Sequence, residues 1–469
     1  MDAYEYIIPP ISEYRRIPLF LFQTWQTQQL PSNMASCVRD LISANPEFKY
    51  QFYDDERCRT FIQSHFPEDV LHAYDTFIPG AYKADLWRYC ILYVYGGIYV
   101  DIKYRCVPPF KLIELTTREH YVRDREFCGI DGIYQGFLCC YPRNPILYRC
   151  IRKIVEYVDR MEYGKTCLFV GPQLVGSHFC KLELKQMEMS YNGFGIQRGN
   201  KLIMKMYTEY RTELKQVATK KHYTELWMDR DMYHLKRLTP YHVEDLTQRG
   251  QASHPVRTER GLHLQWSNSE RTIHTCDDTV LPYLEGVERV RWYGDQYIGF
   301  RSSKLCGGKA GSISVITPTF HFYGDSLCMA TYKDEPCMVY EWYPLQLCKL
   351  RYDHLLLSTT LYTTPEWFKD LKASTNCVLW KGNQWVILTR MYLYKKGGNL
   401  HRKVYHLMAV LDEAFRIKYS EFFRMDASIS DLHVTEEGIS IGHADSGKCY
   451  FSKYTWEEVN RLRWNHAVE

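Results

Sequence analysis

Residues 81–104 read A-Y-K-A-D-L-W-R-Y-C-I-L-Y-V-Y-G-G-I-Y-V-D-I-K-Y. The first part predicts an amphipathic helix: Leu86, Tyr89, Cys90 and Tyr93 recur at helical spacing, and no proline interrupts them. Gly96-Gly97 stops that helix, because glycine takes the left-handed conformation after a helix end without a Cβ clash. Ile98-Tyr99-Val100 follows as a short strand of β-formers. It runs out at Asp101, which sets a carboxylate at a strand's C-terminal end, where open α/β sheets bind ligands. Asp85 and Arg88 lie one turn apart on the preceding helix and share a face. An acid, a guanidinium and a second acid therefore surround one crevice. The bland alternative is that Asp85 and Arg88 form a surface ion pair, which is worth little.

Upstream, Ile17-Pro18 opens a buried strand that runs through L-F-L-F to Gln23-Thr24-Trp25. Pro31-Ser32 is expected to cap a helix that carries Met34, Val38, Leu41 and Ile42 on one face, and Asn45-Pro46 ends it. Residues 48–53 alternate as a second strand and finish at Asp54-Asp55. Strand, helix and strand make a βαβ unit with a right-handed crossover. Asp55 reads as the cap of the next helix. The other reading is that Asp54 or Asp55 reaches a ribose hydroxyl. Helices are expected near 56–65, 68–77 and 144–158. Strands are expected at 127–130 and 133–140, with a hairpin at 192–206 turning on Arg198-Gly199-Asn200.

At 469 residues the chain has room for two or three domains with full cores. Lys+Arg is 59 against 55 Asp+Glu, a net charge of +4, so nothing reads as a nucleic-acid footprint. The 17 cysteines form no C-x-x-C pair and are odd in number, which argues against a disulfide framework or a zinc site and for reduced thiols in the cytoplasm. No basic leader precedes an apolar run at the N-terminus, and no apolar run approaches the ~20 residues of a membrane-spanning helix.

Residues 237–285 turn polar and are expected as a linker or irregular extension. From 286 to 469 helical periodicity nearly vanishes, and strand–turn–strand units take over at 290–300, 348–359, 377–389 and 432–443. Their uneven spacing suggests an all-β domain built from blades of a β-propeller or a related β-array.

The block K-A-D-L-W-R-Y-C-I-L-Y-V-Y-G-G-I-Y-V-D-I-K (83–103), with I-P-L-F-L-F-Q-T-W (17–25) at the right distance before it, resembles the D-x-D glycosyltransferases related to the initiating α-1,6-mannosyltransferases of family 32. More distantly it resembles the glucosylating toxins. One departure stands out: Lys103 occupies the place of the second acid of D-x-D, which in that family binds a divalent metal. The resemblance implies a GT-A-like nucleotide-sugar domain over residues 1–236. It implies a retaining transfer from a UDP- or GDP-sugar to a glycan, lipid-linked or protein acceptor; from charge and hydropathy, neither a nucleic-acid partner nor an integral membrane segment is expected. Asp85, Arg88 and Asp101 are the implied catalytic residues. Gln23, Trp25, Tyr99, Lys103 and Gln135 join them around the donor, with Trp25 against the base. Asp101 is the implied ligand of Mn²⁺ or Mg²⁺. For Lys103 three readings stand: its ammonium partly replaces the metal beside the phosphates, it points away while Asp101 and water complete a weaker metal site, or activity is lost. Y-Q-G-F (134–137) resembles an acceptor-side segment with Gln135 in place of asparagine, and V-G-P-Q (170–173) resembles a T-G-P loop. His222 and Trp227 are candidates for a segment that closes over the donor.

The C-terminal part resembles the five-bladed propellers of mannoside- and fructoside-acting enzymes. It also resembles modules fused behind glycosyltransferases in large DNA viruses. Glu341, Trp342, Tyr343, Arg390, His406 and Asp431 are the residues nearest the sugar-binding funnel of those propellers. No carboxylate pair for hydrolysis is evident. Two further functions compete with the glycosyltransferase: a catalytically silent glycan-binding protein, and a toxin-like enzyme acting on a host protein.

Overall fold

The computed structural model describes residues 16–245 apart from 128–130 and 218–220, the backbone of separate strands between 252 and 327, and residues 328–466 with short gaps. The chain divides into two compact units, Met1–His234 and Leu235–Glu469.

The first unit begins β1 (Phe20–Thr24), α1 (Ser32–Ala44), β2 (Lys49–Tyr53), α2 (Asp55–His65), α3 (Glu68–Thr76), α4 (Gly80–Tyr95) and β3 (Gly97–Val100). β1 lies between β2 and β3, parallel to both, with Phe22 opposite Gln51 and Tyr99. The chain goes from β1 to β2 on one side and returns to β3 on the other. The C-terminal ends of β1 and β3 therefore flank a topological switch point. Asp54, not Asp55, caps α2: its carboxylate accepts from the Arg57 backbone N–H at 2.8 Å. α1 starts at Ser32 after Pro31 without a side-chain cap of its own.

α4 is not the one-faced helix expected from its spacing. Every residue from Asp85 to Leu92 is buried, because the sheet packs on one side and other helices on the rest. Gly96 (φ +63°) ends it and Gly97 (φ +108°) begins β3. A Cβ on Gly97 would sit 2.7 Å from the Phe20 carbonyl oxygen, so only glycine lets β3 lie this close to β1.

β4 (Tyr104–Cys106), β5 (His120–Arg123) and β6 (Ile133–Cys140) follow, then α5 (Pro145–Asp159), α6 (Pro172–Gly176) and α7 (Lys181–Gln186). β7 (Met189–Tyr191), β8 (Gly195–Arg198), β9 (Lys201–Met206), α8 (Tyr210–Val217) and α9 (Tyr223–Met228) complete the unit. The hairpin β8–β9 turns where the sequence places it. β5 was not foreseen; of the strand expected at 127–130, residues 128–130 lie outside those described.

The sheet order is β2-β1-β3-β6-β5-β7-β8-β9-β4. β4 lies at the far end of this path, although only Asp101-Ile102-Lys103 separates it from β3. A flat path of six strand spacings would measure about 29 Å, whereas four Cα steps reach only about 14 Å. The sheet must therefore curl back on itself, and residues 101–103 form the seam. Ile98, Val100, Tyr104, Phe137, Ile196 and Met204 fill the core inside the curl.

The second unit is all-β. Among the described residues it holds five sheets, built mainly from the segments 252–275, 287–315, 317–362, 372–420 and 428–455, with strand Trp464–His466 returning to the fourth. All four strand–turn–strand units read from the sequence are antiparallel pairs. Strands Ala252–Arg257, His263–Ser267 and Thr272–Thr275 form a sheet inside the stretch expected as a linker. Strand His242–Asp245, from that same stretch, pairs with Lys448–Thr455 in the last sheet. Polar strand residues alternating with short turns carry no long apolar run, which is why composition reads them as linker.

Candidate functional site

The candidate site lies where α4, the end of β3, the seam and β6 meet. Arg88 is its hub, 5 % exposed. Nη1 meets Asp85 Oδ1 at 2.8 Å and donates to the Gln135 carbonyl at 2.6 Å. Nη2 donates to the Tyr99 hydroxyl at 3.2 Å and stands 3.8 Å from Asp101 Oδ1. The guanidinium carbon lies 4.4 Å from the centre of the Tyr99 ring. Tyr99 in turn donates to Asp101 Oδ1 at 2.8 Å, and Lys103 Nζ donates to Asp101 Oδ2 at 2.5 Å. The Asp101 backbone N–H donates to the Gly136 carbonyl at 2.9 Å, which ties the seam to β6. One network thus joins Asp85, Arg88, Tyr99, Asp101 and Lys103.

Asp85 and Arg88 do form an ion pair, but both are buried, so it is not the surface pair of the bland alternative. The Arg88 fork is not open to phosphate but filled by protein groups, so Arg88 orients the two carboxylates. Among the described residues, Arg88 Nε has no hydrogen-bond partner.

The two acids differ electrostatically. Burial pushes the Asp85 carboxyl up to about 6; Arg88 pulls it back and Asp101 adds to the rise. Burial acts in the same direction on Asp101, but Lys103 and Arg88, with hydrogen bonds from Lys103 and Tyr99, hold it below the usual carboxylate range. For Lys103, burial disfavours the charge while Asp101 and the tyrosines around it favour it, and the net direction is upward. Both groups of the Asp101–Lys103 pair are therefore ionised at neutral pH.

Lys103 sits in a cage of rings. Its Nζ lies 5.3 Å from the centre of Tyr104, 5.6 Å from Tyr134 and 5.6 Å from Tyr210. The Tyr104 and Tyr134 hydroxyls hydrogen-bond at 2.6 Å, and the Tyr207 backbone N–H donates to the Lys103 carbonyl at 3.1 Å. The Lys103 side chain is 16 % exposed and that of Asp101 22 %, so an open edge remains.

Three donor-contact expectations are corrected. Gln23 has no exposed surface; its Nε2 donates to the Asp101 carbonyl at 3.4 Å, and its Oε1 accepts from the Tyr50 hydroxyl at 3.1 Å. Gln135 spends its amide on the Ile133 carbonyl and the Tyr89 hydroxyl, both at 2.8 Å. Tyr99 is 1 % exposed and bridges Arg88 to Asp101. Gln23 and Tyr99 hold Asp101 of the seam, and all three spend their polar groups inside the protein rather than present them to solvent. Trp25 is half-buried against the cluster of Met34, Val38 and Tyr207. His222 caps α9 through its Nδ1, and the Trp227 indole donates to the Tyr163 carbonyl, so both have structural duties. In the second unit Glu341, Arg390 and Asp431 lie in three different sheets; Arg390 pairs with Asp370 at 3.2 Å and Asp431 with His433 at 3.0 Å.

Gly171 was seen in the sequence only as part of a V-G-P-Q loop. A Cβ there would fall 2.4 Å from Asp85 Oδ2 and 3.1 Å from Gln135 Cγ, so the glycine is what lets this loop close over Asp85. The cage was missed: Tyr134 was noted only within Y-Q-G-F, and both it and Tyr210 are distant in sequence from Lys103.

A divalent metal does not fit these residues. Asp101 Oδ2 already holds an ammonium, and no group of three or more His, Cys, Asp or Glu among the described residues is arranged around an ion. A doubly charged ion ~4 Å from one cation would meet roughly 8 kcal/mol of repulsion at an effective dielectric constant near 20.

Residues 31–120 match the family described as the glycosyltransferase sugar-binding region containing the DXD motif. The chain is similar to inositol phosphoceramide mannosyltransferase 3 of Schizosaccharomyces pombe, 31 % identical over 141 residues, 30 % of this chain and 38 % of that protein. It is similar to an uncharacterised glycosyltransferase of Acanthamoeba polyphaga mimivirus, 35 % identical over 92 residues, 19 % of this chain and 37 % of that one. It is also similar to the initiation-specific alpha-1,6-mannosyltransferase of Candida albicans, 29 % identical over 99 residues, 20 % of this chain and 26 % of that one. The chain thus spans well under two thirds of these relatives. The family match lies in the first unit, across the seam.

Proposed function

We propose that the first unit is a retaining glycosyltransferase that takes its sugar from a nucleoside-diphosphate donor, with Lys103 in the place the family gives to a divalent metal. The observation that carries the reading is the Asp85–Arg88–Tyr99–Asp101 network at the C-terminal ends of β1 and β3, inside the stretch similar to sugar-binding regions. Asp85 and Asp101 accept hydrogen bonds from donor hydroxyls. Lys103, fixed by Asp101 and three tyrosine rings, keeps further N–H donors for the departing diphosphate. Arg88 positions both carboxylates. Leaving-group phosphate assists attack on the same face, which gives an α-linked product. The acceptor is a glycan, a lipid-linked sugar or a protein.

The test is calorimetric titration of UDP and GDP, then transfer assays with a panel of nucleotide-sugars, each in EDTA and in Mn²⁺. Binding and turnover that survive EDTA are expected. Lys103→Asp should make both depend on Mn²⁺. Dependence of the wild type on metal would sink the role given to Lys103. Absence of binding and turnover in every condition would sink the enzyme.

The second unit is read as a five-bladed propeller. Five sheets, mainly of successive segments, support this, as does the strand His242–Asp245 pairing into the last sheet, which is how a ring of blades closes. It serves as a glycan-binding or scaffolding module. Cytoplasmic residence rests on the thiols: 15 described cysteines are free and 14 of these are buried. The closed Asp101–Lys103 pair favours one rival, a silent glycan-binding protein. Carbohydrate affinity unchanged by Asp101→Ala, with no donor binding, would favour it.

A further inference from the structure

In the six-stranded sheet of the second unit, strands Asn383–Lys396 and Asn399–Leu411 pair along their full length, from Gln384–Leu411 to Lys396–Asn399. Neighbouring strands cover only the base of this hairpin: Lys372–Ala373 pairs at Thr389 and Leu388, Val378–Trp380 at 383–385, and Ile417–Ser420 at 409–411. From Met391 and Val404 outward, among the described residues, the two strands pair only with each other. Side chains there turn from buried to exposed on both strands. The arm ends in Gly397-Gly398, both at positive φ, as the tightest hairpin turn requires.

The composition of this arm is unusual. Met391, Leu393 and Leu400 are 48 %, 56 % and 65 % exposed. Leu393 stands opposite Arg402 and Lys395 opposite Leu400, so on one face two leucines and two cations form crossed diagonals. Tyr392 and Tyr394 lie on the other face, opposite Lys403 and His401. No Asp or Glu occurs between Asp370 and Asp412, a span with seven Lys and Arg.

We infer that this arm docks the protein on an anionic phospholipid surface. The aliphatic tip enters the headgroup layer, the tyrosines lie at the interface, and Lys395 and Arg402 meet lipid phosphates. Charge decides between occupants. A second copy would set one all-basic arm against another and be repelled. The aliphatic side chains also stand on a projecting tip rather than in a groove, the shape that enters a fluid layer. The inference is independent of the donor site.

The test uses the full chain in co-sedimentation with vesicles of phosphatidylcholine alone and of phosphatidylcholine with phosphatidylserine. Binding to the anionic vesicles only, weakening as salt rises, is expected. The double variant Leu393→Ser/Leu400→Ser should lose about tenfold or more in affinity. Lys395→Glu/Arg402→Glu should abolish binding. All these positions are exposed, so melting temperature and far-ultraviolet dichroism should stay those of the wild type, which separates docking from folding. Failure of the wild type to bind anionic vesicles, undiminished binding by both variants, or a wild-type dimer that the leucine variant dissolves would each overturn the inference.

Discussion

Around Asp85 the chemistry depends on a few tenths of an ångström and on one proton. Gly171→Ala would drive a methyl group into the Asp85 carboxylate, at 2.4 Å before relaxation. Donor affinity should fall at least tenfold with little change in melting temperature, since the rest of the loop stays packed; calorimetric titration with UDP or GDP measures it. The raised carboxyl of Asp85 gives a second prediction. Below about pH 6 the group takes up a proton, loses its charge and becomes a weaker acceptor of sugar hydroxyls, so donor affinity should decline as pH falls through 6. Asp85→Asn should be weaker throughout and lack that decline. For stability the sign is opposite: a folded-state carboxyl raised above its unfolded value contributes most below the unfolded value near 4, and that contribution is lost as pH rises through 6. Asp85, Arg88 and Asp101 were legible in the sequence because a helical turn and a strand end are local geometry. The duties of Gln23 and Gln135 were not, because Tyr50, Tyr89 and the Asp101 carbonyl reach those amides only in the folded unit.

Elements tell the same story at larger size. α4, the Gly-Gly stop and β3 were readable, since caps and periodicity lie within a few residues. The all-round burial of α4 was not, because the packing around it comes from segments far along the chain. α1 shows how such a gap is filled. Lacking a cap, its first turn borrows the Glu213 carboxylate of α8, which accepts from the Asn33 N–H at 3.1 Å, Asn33 Nδ2 at 2.8 Å, the Met34 N–H at 3.2 Å and the Tyr207 hydroxyl at 2.8 Å. Burial opposes the charge, but these donors outweigh it and hold Glu213 below its ordinary value. Glu213→Ala should cost about 1–3 kcal/mol, read as a lower urea midpoint. An unchanged midpoint would show that water serves that helix end equally well.

At the scale of the molecule, two units with separate cores should respond separately. Phe423 is fully buried in the second unit, and its backbone exchanges hydrogen bonds with that of His406. Phe423→Ala should cost about 3–5 kcal/mol there. Calorimetry should show the second unit melting earlier, while affinity for UDP or GDP stays that of the wild type. A parallel loss of nucleotide affinity would contradict separate behaviour. The start of the second unit was hard to read, since polar strands imitate a linker and a strand near 242 finds its partner near 450. The curl of the first unit has its own consequence. Lys103 is locked by Tyr207 and Tyr210, which emerge from the ribosome a hundred or so residues later. A nascent or clipped chain ending before them would own every residue of the motif yet have no gripping seam, so competence arrives all at once, when β9 zips against the waiting β4.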